Sequence, residues 1–319
     1  MFYNESRISQ NLLACVITAG KKEGFIMIRK TMLSVAALML IYVCASAPSA
    51  RAQGCDRECL KGFVTQYIDA LAAHNPGALP VTANLKFTED NKELKLGEGM
   101  WKTFTKLAGY RRDILDVKQG VAVSFLVVEG TDPATPTLYV IRLKIEDKKV
   151  SEIESMLVRN RQEGMLYNPD NLKTVMPLML SEVPANRRTA REEAVKIATT
   201  YPEGLRIGSF VKVDSPMVDE AYRYENGNLM AGPGCTFFQG CDNMRTQSIP
   251  RLSEITHRLI AVDEELGVVA MRMNFGKGSL FSGDGVLDVW HSFKIFDGKI
   301  HAAEAYCKEV PAGQKSGWD

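Results

Sequence analysis

The chain lacks a charge of either sign in excess. Its 39 Lys and Arg stand against 38 Asp and Glu over 319 residues, a net charge of +1, so no basic field argues for a nucleic-acid partner. It lacks a hydrophobic run of the roughly 20 residues that a membrane helix needs. The apolar run from Met32 to Cys44 is shorter and is soon followed by Pro48 and small residues. No phosphate-binding, flavin-binding or nucleophile-elbow motif occurs, so any chemistry is expected to need no organic cofactor. Neither close cysteine pair is joined by a second CxxC or by histidines at ligand spacing, so no metal site is expected. No low-complexity tract is present.

What is present begins with an export signal. Arg29-Lys30 precedes the apolar run, and Ala50-Arg51-Ala52 places small residues for cleavage before Gln53, so residues 1–52 read as a signal peptide, with Met27 or Met32 as alternative starts. The expected location is periplasmic or secreted, with no stable membrane span after cleavage. In an oxidising compartment Cys55 with Cys59, and Cys235 with Cys241, are natural disulfides. Cys307 is left over as a buried structural thiol, on the strand face opposite His291.

The organising stretch runs from Leu287 to Tyr306. Period-two alternation puts Leu287, Val289, His291, Phe293 and Ile295 on one strand face. Asp297-Gly298 suits a two-residue type I′ hairpin. If Phe296 pairs with Lys299, unbroken alternation sets Ile295 opposite Ile300, Phe293 opposite Ala302, His291 opposite Glu304 and Val289 opposite Tyr306. An imidazole and a carboxylate would then meet on an apolar face.

The pattern occurs twice. Shifted by 150 places, Lys294, Ile295, Asp297, Lys299 and Glu304 fall on Lys144, Ile145, Asp147, Lys149 and Glu154. Upstream, Arg111-Arg112 matches His257-Arg258, Asp116 matches Asp263, and Glu89-Asp90-Asn91 matches Glu225-Asn226-Gly227. Two homologous modules follow, over residues 53–160 and 187–311, with a packed connector over 161–186 and a tail over 312–319. Ile141 holds the place of His291 in the first copy, which leaves Glu154 without that partner.

Each module opens with a helix. Leu60, Phe63, Val64, Tyr67, Ile68 and Leu71 form the first stripe, and Thr189-Ala190-Arg191-Glu192 reads as a capping box before the second. His74 reads as a helix-end residue. Arg187, Arg188 and Arg191 read as a solvated face, and Val218 to Arg251 as a loop region rich in Tyr222, Tyr224 and Glu225. Strands are expected over 110–117, 121–129, 138–145, 149–158, 255–262 and 268–274, with a Gly-rich turn around Gly276 to Gly285.

Helix first, then long strands closed by a hairpin, is an α+β plan of helices packed on a curved antiparallel sheet. On Cys55 through His74, Phe87-Thr88-Glu89, Gly97-Glu98-Gly99-Met100-Trp101, Tyr224-Glu225-Asn226-Gly227 and the two hairpins, each module resembles the nuclear-transport-factor-2-like superfamily, including its SnoaL-like members. The whole resembles an exported tandem form. The resemblance implies two cone-shaped domains, each enclosing an apolar pocket with acid-base residues on the concave face. It also implies pairing through the convex face, which two modules in one chain can satisfy internally and which leaves a homo-oligomer open.

In such a pocket His291 would act as general base or acid, Glu304 would orient it, and Tyr306, Tyr224 or Tyr222 would donate to a developing oxyanion. Arg258 and Asn226 would position polar substituents beside Phe293. The resulting expectation is a cofactor-independent enzyme for acid-base cleavage, hydration or isomerisation of a small aromatic or cyclic compound. Hydrolysis of a lignin-derived β-aryl ether is the specific case. The alternative is a non-catalytic ligand-binding or interaction protein, because a buried histidine satisfied by glutamate is also a common structural device.

Overall fold

The stripe Leu60, Phe63, Val64, Tyr67, Ile68 and Leu71 is the buried face of α1 (Arg57–Ala72) in the computed structural model. The structure describes residues 54–132, 135–164, 166–172, 177–252, 254–275, 285–311 and 313–318. The segment expected to be a signal peptide and most of the Gly-rich turn lie outside these. No helix among the described residues is long and apolar enough to cross a membrane. Asp56 caps α1 by accepting from the Cys59 amide, beside the Cys55–Cys59 disulfide. The Cys235–Cys241 disulfide is also formed, and both are compatible with an exported protein.

The first module continues with β1 (Val81–Glu89), β2 (Lys92–Glu93), β3 (Lys106–Asp116), β4 (Val121–Glu129), β5 (Thr137–Glu146) and β6 (Lys149–Val158). After α2 (Pro177–Leu180) and α3 (Arg191–Ile207), the second repeats the series. Its strands are β7 (Met217–Glu225), β8 (Asn228–Ala231), β9 (Thr256–Asp263), β10 (Val268–Phe275), β11 (Gly285–Phe296) and β12 (Lys299–Pro311). The sheets have matching orders, β2-β1-β6-β5-β4-β3 and β8-β7-β12-β11-β10-β9. This is the tandem α+β plan, except that each sheet is mixed: β1 runs parallel to β6, and β7 parallel to β12. Tyr222 and Tyr224 therefore lie in a strand, where a loop was expected.

Two helix-start expectations also change. Ala190 occupies the N-cap of α3 with no side-chain bond, and Thr189 instead accepts from the Gly298 amide, so the capping box does not form. Arg191 is not solvated: it pairs with buried Asp116 of the first module at 2.5 Å.

The closing hairpin begins as its sequence dictates. Asp297 and Gly298 both have positive φ (50° and 69°), and Phe296 pairs with Lys299 and Ile295 with Ile300. A β-bulge then intervenes. His301 is the extra residue, its ring stacked 3.4 Å from that of Phe296, and Lys294 faces Ala302. Because side chains alternate with period two, one added residue moves everything beyond it to the other face. Glu304 thus pairs with Ser292, Ala305 with His291, Tyr306 with Trp290 and Cys307 with Val289. His291 and Glu304 lie on opposite faces, and the predicted pair does not form. The first module has the same bulge, with Ser151 as its extra residue.

One face of each sheet packs under its own helix. In the second module this core includes Tyr201, Val289, Phe293, Ala303, Ala305 and Cys307. The outer faces pack against each other through a third core that includes Tyr110, Phe125, Val140, Ala270, Trp290 and Tyr306.

Charged contacts across this interface come in repeat-related pairs. Arg57 binds Asp263 at 2.8 Å, as Arg191 binds Asp116. Arg112 binds Glu304 at 2.6 Å, and Arg258 binds Glu154 at 2.5 Å. Each carboxylate reaches the arginine of the other repeat, an isologous arrangement built inside one chain. The glutamate is present in both copies because the interface uses it twice.

Candidate functional site

The inner face of the second sheet holds the candidate site. Arg223 and Glu225 are two apart on β7 and so share this face, opposite Ala303 and Ala305 of β12. Beneath them lies Cys307. Arg223, Glu225 and Cys307 line a pocket of about 250 Å³. Its apolar walls come from Leu205 of α3, Met230, Phe275, Leu287 and the disulfide-bounded loop with Phe237 and Phe238.

Four polar groups converge there. Arg223 Nε lies 2.7 Å from Glu225, its Nη1 donates to the Tyr201 hydroxyl at 3.0 Å, and its Nη2 donates to Gln247 at 3.4 Å. Gln247 is held in turn by donating to the Met244 carbonyl. A buried guanidinium is tolerable because Glu225 offsets its charge and Tyr201 and Gln247 accept from its two Nη atoms, although Nε makes no hydrogen bond among the described residues. Tyr201 accepts from Arg223 and keeps its own proton for a further partner, and burial holds its hydroxyl in the protonated form.

His291 lies behind this set. Its ring is 4.7 Å from that of Tyr201 and 4.3 Å from that of Phe293. It is 1% exposed, and among the described residues neither ring nitrogen has a hydrogen-bond partner. Burial, and then the charge of Arg223, push its pKa well below the usual value, so the imidazole is neutral. Phe293 is fully buried at the same level.

The other expected site residues go elsewhere. Glu304 receives Arg112 Nε at 2.6 Å and a hydrogen bond from the Tyr110 hydroxyl, within the interface. Tyr306 donates to the Leu126 carbonyl of the first module and packs edge-on against Phe125. Tyr222 and Tyr224 share the outer face with Glu304, their rings 5.8 Å apart, and burial pushes the Tyr222 hydroxyl up to about 12. Arg258 is engaged by Glu154. Asn226 borders the pocket, but its amide is spent on the Cys307 backbone, donating to the carbonyl and accepting from the N–H, both at 2.8 Å. Cys307 itself shares the face of His291, where alternation without the bulge placed it opposite; burial pushes its thiol pKa well up.

Sequence reading missed Arg223, Gln247 and the role of Tyr201. The available signal was Tyr222-Arg223-Tyr224-Glu225, whose alternation marks a strand with two tyrosines on one side and an ion pair on the other. His74 sits just beyond α1, its Nδ1 2.6 Å from the Trp101 carbonyl. Among the described residues no group of three or more His, Cys, Asp or Glu could hold a metal ion.

In comparison with known proteins, residues 187–307 match the model of a domain of unknown function, DUF8021. The matched segment holds every residue that lines the pocket except Leu166, and excludes the first module. Among solved structures, the chain is similar to an NTF2-like protein of unknown function from Cytophaga hutchinsonii ATCC 33406, with 13% identity over 32% of this chain and 91% of that one, and a TM-score of 0.26. It is also similar to a putative ketosteroid isomerase from Kribbella flavida DSM 17836, with 14% identity over 39% of this chain and 86% of that one, and a TM-score of 0.26. No curated protein matches.

Proposed function

We propose that the second module is a cofactor-independent acid-base enzyme of an exported protein, acting on a small aromatic or cyclic compound that carries one oxygen acceptor. One observation carries this: Tyr201, Arg223 and Glu225 converge on a hollow that is otherwise apolar. In this reading the apolar walls take the ring of the substrate. The Tyr201 hydroxyl, oriented by Arg223, donates to the oxygen on which charge develops. Glu225 accepts the proton, and Arg223 steadies both. His291 fixes the Tyr201 ring from behind as a neutral, desolvated plane and does not serve as the base. A β-aryl ether, a cyclic ketone and a lactone all belong to the class.

A second reading, binding without turnover, is favoured by the 2.7 Å ion pair that already engages Glu225. Assaying the chain from Gln53 onward on all three compound types, beside Glu225→Gln and Tyr201→Phe, separates the two. Catalysis predicts turnover that falls by roughly 100-fold or more in Glu225→Gln with ligand affinity retained. Tight binding with no turnover in the wild type establishes the second reading, and equal turnover in Glu225→Gln sinks the assigned base.

A further inference from the structure

The interface between the modules departs from the repeat most clearly at one end. Around Arg112 it is dry. Phe125 lies 4.5 Å from the guanidinium, Tyr110 covers Glu304, and the Arg112 side chain is 0% exposed. Strand registers assign the counterparts in the second module. Arg112 and Phe125 are paired neighbours on β3 and β4, as Arg258 and Arg272 are on β9 and β10. Likewise Tyr110, Val127 and Leu138 lie in one row, and Thr256, Asn274 and Asp288 in the matching row. A dry apolar cluster at one end is thus replaced by charged and polar side chains at the other.

Those polar residues border a cleft of about 240 Å³, and the Arg258 side chain there stays 30% exposed. Arg258 and Arg272 share one oxygen of Glu154, and Arg272 also holds Asp288. Both carboxylates are thereby engaged by Arg272. Arg258 is committed through Nη2 alone among the described residues. The tail supplies a further wall. Its Gly313, Gln314, Lys315 and Ser316 line the cleft. Gln314 donates to the Asp90 carbonyl, and Trp318 anchors the end by donating to Thr88 at 2.7 Å, with Lys86 4.2 Å from its ring. Among the described residues, Lys315 brings the cations at the cleft to three with Arg258 and Arg272, against the two carboxylates that the arginines bind, Glu154 and Asp288.

We propose that this cleft is a second ligand site, separate from the pocket of the second module, which binds a small oxyanion between Arg258 and Lys315 under the C-terminal tail. A planar guanidinium and an ammonium are the donors that carboxylate, sulfate or phosphate would use. Calorimetric titration of the purified chain in a buffer free of competing oxyanions, with acetate, malonate, sulfate and phosphate as separate arms, tests it. Saturable binding in at least one arm is expected, weakened at least about tenfold in Lys315→Met or Arg258→Met, and the responding arm distinguishes an organic from an inorganic source. Glu225→Gln should bind the anion as the wild type does. No saturable binding in any arm, or wild-type affinity in every folded variant, overturns the proposal; Lys315 is exposed, so its variant remains folded and informative.

Discussion

The two inner faces share one backbone plan and differ in what fills it. Where the second module has Arg223, Glu225, Ala303, Ala305 and Cys307, the matching positions of the first are Phe87, Glu89, Ile153, Ser155 and Leu157. Tyr139 stands for Val289 and Ile141 for His291. Phe87, Ile153 and Leu157 join Trp101 in a closed core, and the Tyr139 hydroxyl meets that of Tyr67 at 2.8 Å. A few side-chain volumes on the strand pair β1–β6 or β7–β12 therefore decide whether this fold holds a pocket. The fold alone does not.

The most severe way to break the likeness of the halves acts on what they share. Glu304→Ala strips buried Arg112 of its carboxylate, whereas Glu154→Ala leaves Arg272 its second carboxylate, Asp288, and leaves Arg258 partly exposed. The first should cost about 3–5 kcal/mol in denaturant unfolding, because an uncompensated charge is left inside, and the second less. A loss under about 1 kcal/mol would mean that these carboxylates do not secure the interface.

The next effect separates the halves by pH. In the first module burial raises the Glu89 carboxyl to about 7, although the Met100 amide donates to it. Its folded pKa lies above the unfolded value of about 4.5, so it contributes stability fully below pH 4.5 that is lost as pH rises through about 7, up to about 3 kcal/mol in all. In the second module the folded pKa of His291 is depressed, so its contribution is present above about 6.5 and lost as pH falls. Between pH 4.5 and 6.5 the two slopes oppose each other. Stability measured against pH should tilt upward in Glu89→Gln and flatten at the acid end in His291→Phe; unchanged curves would remove both assignments.

The mildest change sharpens the contrast by copying the filled module into the hollow one. Cys307→Leu adopts the residue at position 157 of the first repeat. It should cost about 1–2 kcal/mol through overpacking yet lower ligand affinity at least about tenfold, read by titration with any compound the pocket takes. Retained affinity would place the ligand outside this hollow.

Much of the architecture was legible because it is local. The α1 stripe, the Asp297-Gly298 turn, the strands 121–129 and 149–158 and both disulfides follow from spacing within a few residues. The site was not, because one bulge at His301 inverts every later position of β12, and alternation carries no mark of a bulge when both neighbours are apolar. β7 was hidden for a second reason. Its partner β12 lies some 80 residues further on and runs parallel, so no turn signals the pairing. Arg223 reads from sequence as one charge among several. Only the parallel register, which sets it opposite Ala303, shows that there is room beside it.

The crossed carboxylates also govern how the chain can come apart. A repeat cut free at the connector would carry into water a bare apolar outer face, with an arginine and a glutamate each deprived of its counter-ion. The halves should therefore melt together in one cooperative step, so that damage in the repeat with the filled inner face also silences the one with the hollow.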